Sequence, residues 1–221
     1  MIEILYEDKG IIVCVKPSGM VSERSEDVKS LPMMIERERG LSELFVVHRL
    51  DREVFGVMVY AKDSTSAQKL SRAIAERKFD KEYLAIVEGK MDEKEGVLKD
   101  LLLRDQRKNK TYVVDRKRKG VKDASLEYET LGVAGESSLI KVKLHTGRTH
   151  QIRVQFASRG CPIEGDRKYG SKVKMQGIAL CSYKVGFENP VSGKYMSFAH
   201  LPIGDEAWTR FERETNGLDN R

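Results

Sequence analysis

His48-Arg49-Leu50-Asp51-Arg52-Glu53-Val54-Phe55-Gly56-Val57-Met58-Val59-Tyr60-Ala61-Lys62 leads a polar tetrad straight into an apolar run. The stretch from Phe55 to Tyr60 is rich in branched and aromatic residues and is predicted as a strand, with Asp51 held at its mouth. Arg49 and Arg52 flank that aspartate, and their charge favours an ionised carboxylate ready to act as a nucleophile. The same pattern also serves as an ordinary surface ion-pair cluster, which contributes little to stability. The tetrad alone leaves both readings open.

Upstream, Ile4 to Lys16 is predicted as two short strands around Glu7-Asp8-Lys9-Gly10, the second apolar throughout as in a buried strand and stopped by Pro17-Ser18-Gly19. A short helix is expected around Leu31 to Glu38. Downstream, Asp63 is predicted to cap a helix reaching about Lys78, in which Ala67, Leu70 and Ile74 recur at helical spacing. A strand follows from Glu82 to Glu88. Runs at Val97–Leu103, Thr111–Val114 and Ala124–Glu129 suggest an antiparallel meander. Leu139–Leu144 reads as a half-exposed strand. Thr149 is expected to cap a helix whose Ile152 and Phe156 face inward, with Gly160 just past its end. Strands around Ile178–Phe187 and Tyr195–Phe198 close the pattern, and the charged tail beyond Trp208 is expected to fray. Clustered strands and few helices argue against repeated βαβ units and for a mixed, largely antiparallel α+β sheet with flanking helices, in one domain over residues 1–221.

A second polar stretch, Leu144-His145-Thr146-Gly147-Arg148-Thr149-His150-Gln151-Ile152-Arg153-Val154-Gln155-Phe156-Ala157-Ser158-Arg159-Gly160, is followed by Cys161-Pro162-Ile163-Glu164-Gly165-Asp166-Arg167-Lys168-Tyr169-Gly170. With the first stretch, with Lys81-Glu82-Tyr83-Leu84-Ala85-Ile86-Val87-Glu88-Gly89, and with Ile4–Asp8 and Val15–Gly19, it resembles the RluA-type pseudouridine synthase family over about the whole chain. The resemblance implies a twisted sheet folded around a central RNA-binding cleft, without the small N-terminal RNA-binding domain that many relatives carry. It also implies isomerisation of uridine to pseudouridine in structured ribosomal or transfer RNA, with no cofactor. By the same resemblance Asp51 is the catalytic aspartate, Arg153 the cation paired with it, and Tyr83 the residue that stacks on the uracil and relays the C5 proton. Arg49 fills the gap left by a flipped base, and Ile152 forms an apolar wall for the flipped ring. His48 and Arg148 are expected at the substrate with them. The pattern departs from the family at Val54-Phe55-Gly56, where Thr-Ser-Gly is usual, and at Gln155, where His is frequent. A catalytically inactive RNA-binding module on the same scaffold is the alternative. A kinase, suggested by His-Arg-x-Asp, lacks its Gly-rich loop and Asp-Phe-Gly.

Charge points the same way. The net +6 is concentrated between residues 104 and 122, which hold nine Lys or Arg against two Asp, while the remainder holds 31 basic against 32 acidic residues. Such concentration suits a polyanion-binding strip, although lysines also keep a strand edge soluble. Arg116, Lys117, Arg118 and Lys119 follow a strand-like Thr-Tyr-Val-Val and are expected near a hairpin tip, in reach of RNA phosphates. Hydrophobic residues make up 40% and charged residues 33%, in the globular range, and no apolar run approaches the ~18 residues of a membrane helix. Neither a secretory leader nor a membrane partner is expected, nor is DNA. Three cysteines without Cys-x-x-Cys pairing suit reduced thiols in a cytoplasmic, monomeric protein. His48, His145, His150 and His200 are not spaced with carboxylates or thiolates as metal ligands, so no metal is expected.

Overall fold

The computed structural model describes residues 1–202 and 206–218. Its elements run β1 (Ile4–Glu7), β2 (Ile11–Lys16), α1 (Leu31–Arg39), β3 (Phe45–Val46), β4 (Phe55–Ala61), α2 (Ser64–Ala75), β5 (Asp80–Glu88), β6 (Glu95–Asp105), β7 (Lys110–Val114), β8 (Val121–Ala134) and β9 (Ser137–Leu144). They continue through α3 (Gln151–Ala157), a 3-10 turn (Arg167–Tyr169), β10 (Leu180–Glu188), β11 (Tyr195–Ala199), α4 (Glu206–Thr209) and α5 (Glu212–Asn216). This is the expected α+β class, with mostly antiparallel pairing and few helices. The chain forms two compact units, Met1–Glu82 with Cys181–Leu201, and Tyr83–Leu180 with the C-terminal residues from Pro202.

In the first unit the strand order is β1-β2-β4-β10, with β3 also on β4 and β11 also on β10. β2 is buried at every position, which its unbroken apolar run Ile11–Val15 predicted, and it pairs antiparallel with β4 from Ile11↔Ala61 to Lys16↔Gly56. Ile11, Val13, Val57, Val59, Leu70, Phe79, Val185 and Phe187 form the core, on which Ala67 and Ile74 of α2 also pack. Asp63 caps α2, its carboxylate accepting from the Ser66 amide (2.8 Å) and hydroxyl (2.7 Å). The helix ends at Ala75, three residues earlier than expected. Arg77 turns left-handed (φ 60°), and the Lys78 amide closes back onto the Ala73 carbonyl (2.8 Å), a tight C-terminal cap without glycine.

One edge of β4 is shared. β10 pairs with it in parallel at Phe55 and Gly56, and β3 pairs antiparallel at Tyr60 and Ala61, which leaves the backbone between them to be satisfied otherwise. The Ser182 hydroxyl donates to the Val57 carbonyl (3.0 Å), and the Val59 amide donates to His48 Nε2 (3.0 Å). Gly56 is required at this junction. Its φ is 118°, and a Cβ there would lie 2.3 Å from the Ser182 carbonyl oxygen and 2.7 Å from its nitrogen.

In the second unit the order is β5 (its Tyr83–Glu88 part), β9, β8, β6, β7. The expected meander is corrected here. β6, not β7, is the middle strand, flanked by β7 (Leu101↔Val114 to Asp105↔Lys110) and by β8 (Leu103↔Val121 to Glu95↔Glu129). β7 and β8 therefore run parallel to each other, and the link from Val114 to Val121 must cross β6. Arg116–Lys119 lie in this crossover and not at a hairpin tip. The tip between β6 and β7 carries Arg107 and Lys108 instead. β8 is longer than expected because it also pairs with β9 as far as Ala134↔Ser137. Leu102, Ala124 and Val154 form a local core with Val113 and Tyr169 packed against it.

Two further expectations are corrected. The residue before α3 is His150, in a left-handed conformation (φ 55°) and with no side-chain cap bond, whereas Thr149 lends its carbonyl to the Thr111 hydroxyl (2.9 Å). The Gln151 side chain replaces a cap by accepting from the Arg148 amide (3.0 Å) and the Thr146 hydroxyl (2.7 Å). The segment after Trp208 does not fray as far as it is described. Trp208, Phe211, Thr215 and Leu218 recur at helical spacing and are all buried, and Arg210 bonds the buried Glu164 at 2.6 Å. Residues 219–221 of that tail lie outside the described residues.

Gly56→Ala should lower stability by more than ~3 kcal/mol, because backbone and not a movable side chain blocks the new methyl; chemical denaturation would measure it. Burial, with Lys81 nearby, pulls His48 down to about 3 from its ordinary 6.5. The unfolded chain then takes up the proton first, so this contribution is complete above pH 6.5 and is lost as pH falls toward 3. Stability measured across that window should drop by on the order of a few kcal/mol in the native protein, and His48→Gln, whose amide oxygen can still accept from Val59, should flatten that slope.

Candidate functional site

Asp51 lies in a turn closed by the Val54 amide on its own carbonyl (3.0 Å) and is partly buried. The segment around it is tied to the end of β2 by a set of backbone-directed bonds. Lys16, with no exposed surface, donates from Nζ to the carbonyls of Pro17 (2.9 Å), Met20 (2.8 Å) and Arg52 (3.0 Å). Ser22 Oγ donates to the Leu50 carbonyl (2.9 Å) and accepts from its amide (3.2 Å). The Gly19 amide donates to the Arg52 carbonyl (2.9 Å), and the Ser18 hydroxyl to that of Glu53 (2.9 Å). Burial pulls the Lys16 ammonium down to about 8, opposed by the carboxylates of Glu53 and Asp51. Three carbonyl acceptors also favour its charged form.

The arginines beside Asp51 have partners of their own. Arg49 is exposed and pairs with Glu23 (3.1 Å), whereas Arg52 Nε donates to the Gly19 carbonyl (3.1 Å). Lys16, which the sequence reading passed over, is a buried cation on which the Asp51 charge acts. His48 is placed otherwise than expected of a substrate contact: it is buried, with Nε2 taken by Val59. Val54, one of the departures from the family pattern, turns into the core at 3% exposure.

In the second unit, Tyr83 is buried on β5, and Ile152 and Arg153 are buried on α3, a helix whose first six residues are all enclosed. Arg153 is held by a partner the sequence reading did not name. Asp166 accepts from its Nε (2.7 Å) and Nη2 (2.9 Å), and both side chains are almost wholly buried. A two-point carboxylate–guanidinium pair of this kind fixes the plane as well as the position of the guanidinium. The Tyr169 ring lies 5.2 Å from the Arg153 guanidinium carbon. The sequence signal for these two residues was the run Cys161–Gly170, which carries part of the family resemblance but in which neither Asp166 nor Tyr169 stands out.

Arg116, Lys117, Arg118 and Lys119 are all exposed. Lys117 pairs with the Asp123 carboxylate (3.1 Å), and Arg148 Nε donates to the carbonyl of the same Asp123 (3.0 Å), so the structure brings Arg148 to the base of the cationic crossover. A second basic group escaped the sequence reading: Lys168 Nζ donates to the Asn109 carbonyl (3.1 Å), which joins the turn bearing Arg167 and Lys168 to the β6–β7 tip. Gln155, the other departure, bonds Asp100 Oδ2 (2.6 Å), which also pairs with Arg159 (3.0 Å). Cys14, Cys161 and Cys181 are free and buried. Among the described residues no group of three or more His, Cys, Asp or Glu is placed to hold a metal ion, and no helix is long and apolar enough to cross a membrane.

The profile of a family described as RNA pseudouridylate synthase matches residues 10–158. A protein of Aquifex aeolicus (strain VF5), named an uncharacterized RNA pseudouridine synthase, is 38% identical over 89% of this chain and 68% of its own length. Ribosomal large subunit pseudouridine synthase D of Borreliella burgdorferi is 34% identical over 83% of this chain and 60% of its own length. In fold, the solved human RNA pseudouridylate synthase domain containing 4 is similar at a TM-score of 0.76 and 22% identity, covering 97% of this chain and 93% of that one. The matched span holds the His48–Asp51 tetrad, the Tyr83 strand and the Arg153 helix, and on that ground the chain belongs to the RluA-type RNA pseudouridylate synthase family.

Proposed function

We propose that this RNA pseudouridine synthase isomerises uridine in structured ribosomal or transfer RNA, with Asp51 as its nucleophile. The observation that carries this reading is that the family match at residues 10–158 runs through Asp51, Tyr83 and Arg153, while Asp51 stands on a turn that a buried ammonium and Ser22 hold in place. Names of relatives, such as ribosomal large subunit pseudouridine synthases C and D, make large-subunit ribosomal RNA the first substrate to test.

The reaction breaks the bond from uracil N1 to the ribose, turns the ring and rejoins it through C5, from which a proton leaves. Substrate and product are isomers, so the chemistry asks for a nucleophile and a proton relay and for no redox partner. In this proposal Asp51 attacks and Tyr83 stacks on the uracil and relays the C5 proton. Arg153 supplies the positive charge that orients the nucleophile. The pairing of Arg153 with Asp51 joins residues of different units and is part of the proposal. Ile152 walls the flipped base, Arg49 exchanges Glu23 for the gap in the RNA, and Arg148 with Arg116–Lys119 meets phosphates. For His48 we infer a positioning role, since its ring completes the hydrogen bonding of β4 just behind the tetrad. The setting we infer is a monomer in the cytoplasm, where three free thiols stay reduced.

Asp51→Asn should cut release of tritium from C5-labelled large-subunit ribosomal RNA by roughly a thousandfold or more, with RNA affinity kept. Full turnover in that variant would remove Asp51 from the mechanism, and RNA binding with no pseudouridine formed by the native chain would leave an inactive RNA-binding module. Neutralising Arg116, Lys117, Arg118 and Lys119 together should flatten the slope of log affinity against log salt by about 3. An unaltered slope would assign the crossover to solubility.

A further inference from the structure

Tyr169 stands where three parts of the second unit meet. Its hydroxyl accepts the Thr111 amide of β7 (2.8 Å) and lies 2.9 Å from Nδ1 of His150, the residue that begins α3. Among the described residues β7 is the last strand in its order and pairs only with β6, so an outward amide on it has no strand there to bond and takes the phenol oxygen instead. The same ring stacks edge-on with His150 at 5.6 Å and carries two cations near its face, Arg153 at 5.2 Å and Lys110 at 5.1 Å.

Each of these contacts bears on Arg153. Asp166 grips one edge of the guanidinium, and the ring packed beside it adds a further restraint on the tilt of the guanidinium plane. The ring in turn is fixed by its hydroxyl, one partner of which belongs to the strand set between the cationic tip (Arg107, Lys108) and the cationic crossover (Arg116–Lys119). Lys110 and Arg153 compete for the ring. A phosphate that draws Lys110 away removes a like charge from the neighbourhood of Arg153 and a second cation from the ring's π system, which tightens the guanidinium's hold on the ring. A bare apolar residue would fill the same space against Leu102 and Val154 but would transmit nothing from β7.

We propose that Tyr169 is a positioning residue that couples engagement of phosphate along β7 to the orientation of Arg153, so that the guanidinium is set for catalysis once RNA is seated. The proposal rests on the reading of Arg153 as a catalytic residue. It predicts that binding and chemistry separate when the hydroxyl is lost and the ring is kept.

Tyr169→Phe and Tyr169→Leu can be compared with the native chain on transcribed large-subunit ribosomal RNA, reading the single-turnover rate at saturation, the Kd for RNA and the thermal midpoint. Tyr169→Phe should lower the rate about tenfold, the size of one lost hydrogen bond, with Kd within about twofold, and Tyr169→Leu should lower it further. In parallel, the Nε–H resonance of Arg153, assigned by its loss in Arg153→Lys, should move on adding an oligouridylate to the native chain, move less in Tyr169→Phe and stay still in Tyr169→Leu. A native rate with a native response of that resonance in Tyr169→Phe overturns the proposal. So does a fall in rate, affinity and thermal midpoint together with the resonance responding in full, which is the mark of a packing residue. If the native chain forms no pseudouridine at all, the functional assignment fails, while the resonance experiment still decides whether the coupling exists.

Discussion

A lysine ammonium with no exposed surface, bonded to three carbonyl oxygens, is the constraint on which the first unit turns. Lys16 ends β2, and its acceptors lie in the loop that follows it and in the segment after Asp51. Burying a charge is costly, and the arrangement survives because each proton of the ammonium has an oxygen. The benefit is positional. Two loops far apart in sequence are referred to a single point on the most buried strand of the unit, and the Ser22 and Gly19 bonds make that reference redundant. The backbone that carries Asp51 is therefore placed by main-chain contacts of its neighbours.

The second unit solves the same problem with a different group. α3 is seven residues long and nearly all enclosed, so it has no solvent face on which a charged residue can sit cheaply. Arg153 is tolerated there because Asp166 meets it at two points and Tyr169 covers a face. Removing Asp166 would take a two-point partner from a buried guanidinium, which is why such a pair is better evidence for a fixed geometry than for stability. The left-handed turn at His150 and the backbone-seeking side chain of Gln151 start the helix that carries Arg153.

What was legible in the sequence was what repeats locally. β2, β4 and α1 were read nearly to the residue, and α2 to within a turn at its end, because burial and helical spacing are written in neighbouring positions, and the Asp63 cap follows from one residue type. The error at β7 had another origin: strand-forming runs announce strands but not their partners, and pairing order depends on contacts that no window contains. The C-terminal helices were missed because abundant charge masked a regular apolar stripe at Trp208, Phe211, Thr215 and Leu218. Candidate site residues in contiguous motifs were named. Lys16, Asp166 and Tyr169 were not, since each matters through a partner distant in sequence or through main-chain oxygens that carry no sequence signature.

The crossover between β7 and β8 has a consequence for recognition of any polyanion. Its two ends are stitched to opposite sides of the same strand, with Val114 and Val121 facing residues 101 and 103 of β6, so the four cations ride on a short closed span and not on a dangling arm. A tethered arc has few conformations to surrender when it docks, whereas a free tail of equal charge would forfeit far more entropy for the same number of contacts. In the proposed contact with RNA phosphates, electrostatic attraction on this surface would thereby be converted into affinity with little loss to ordering.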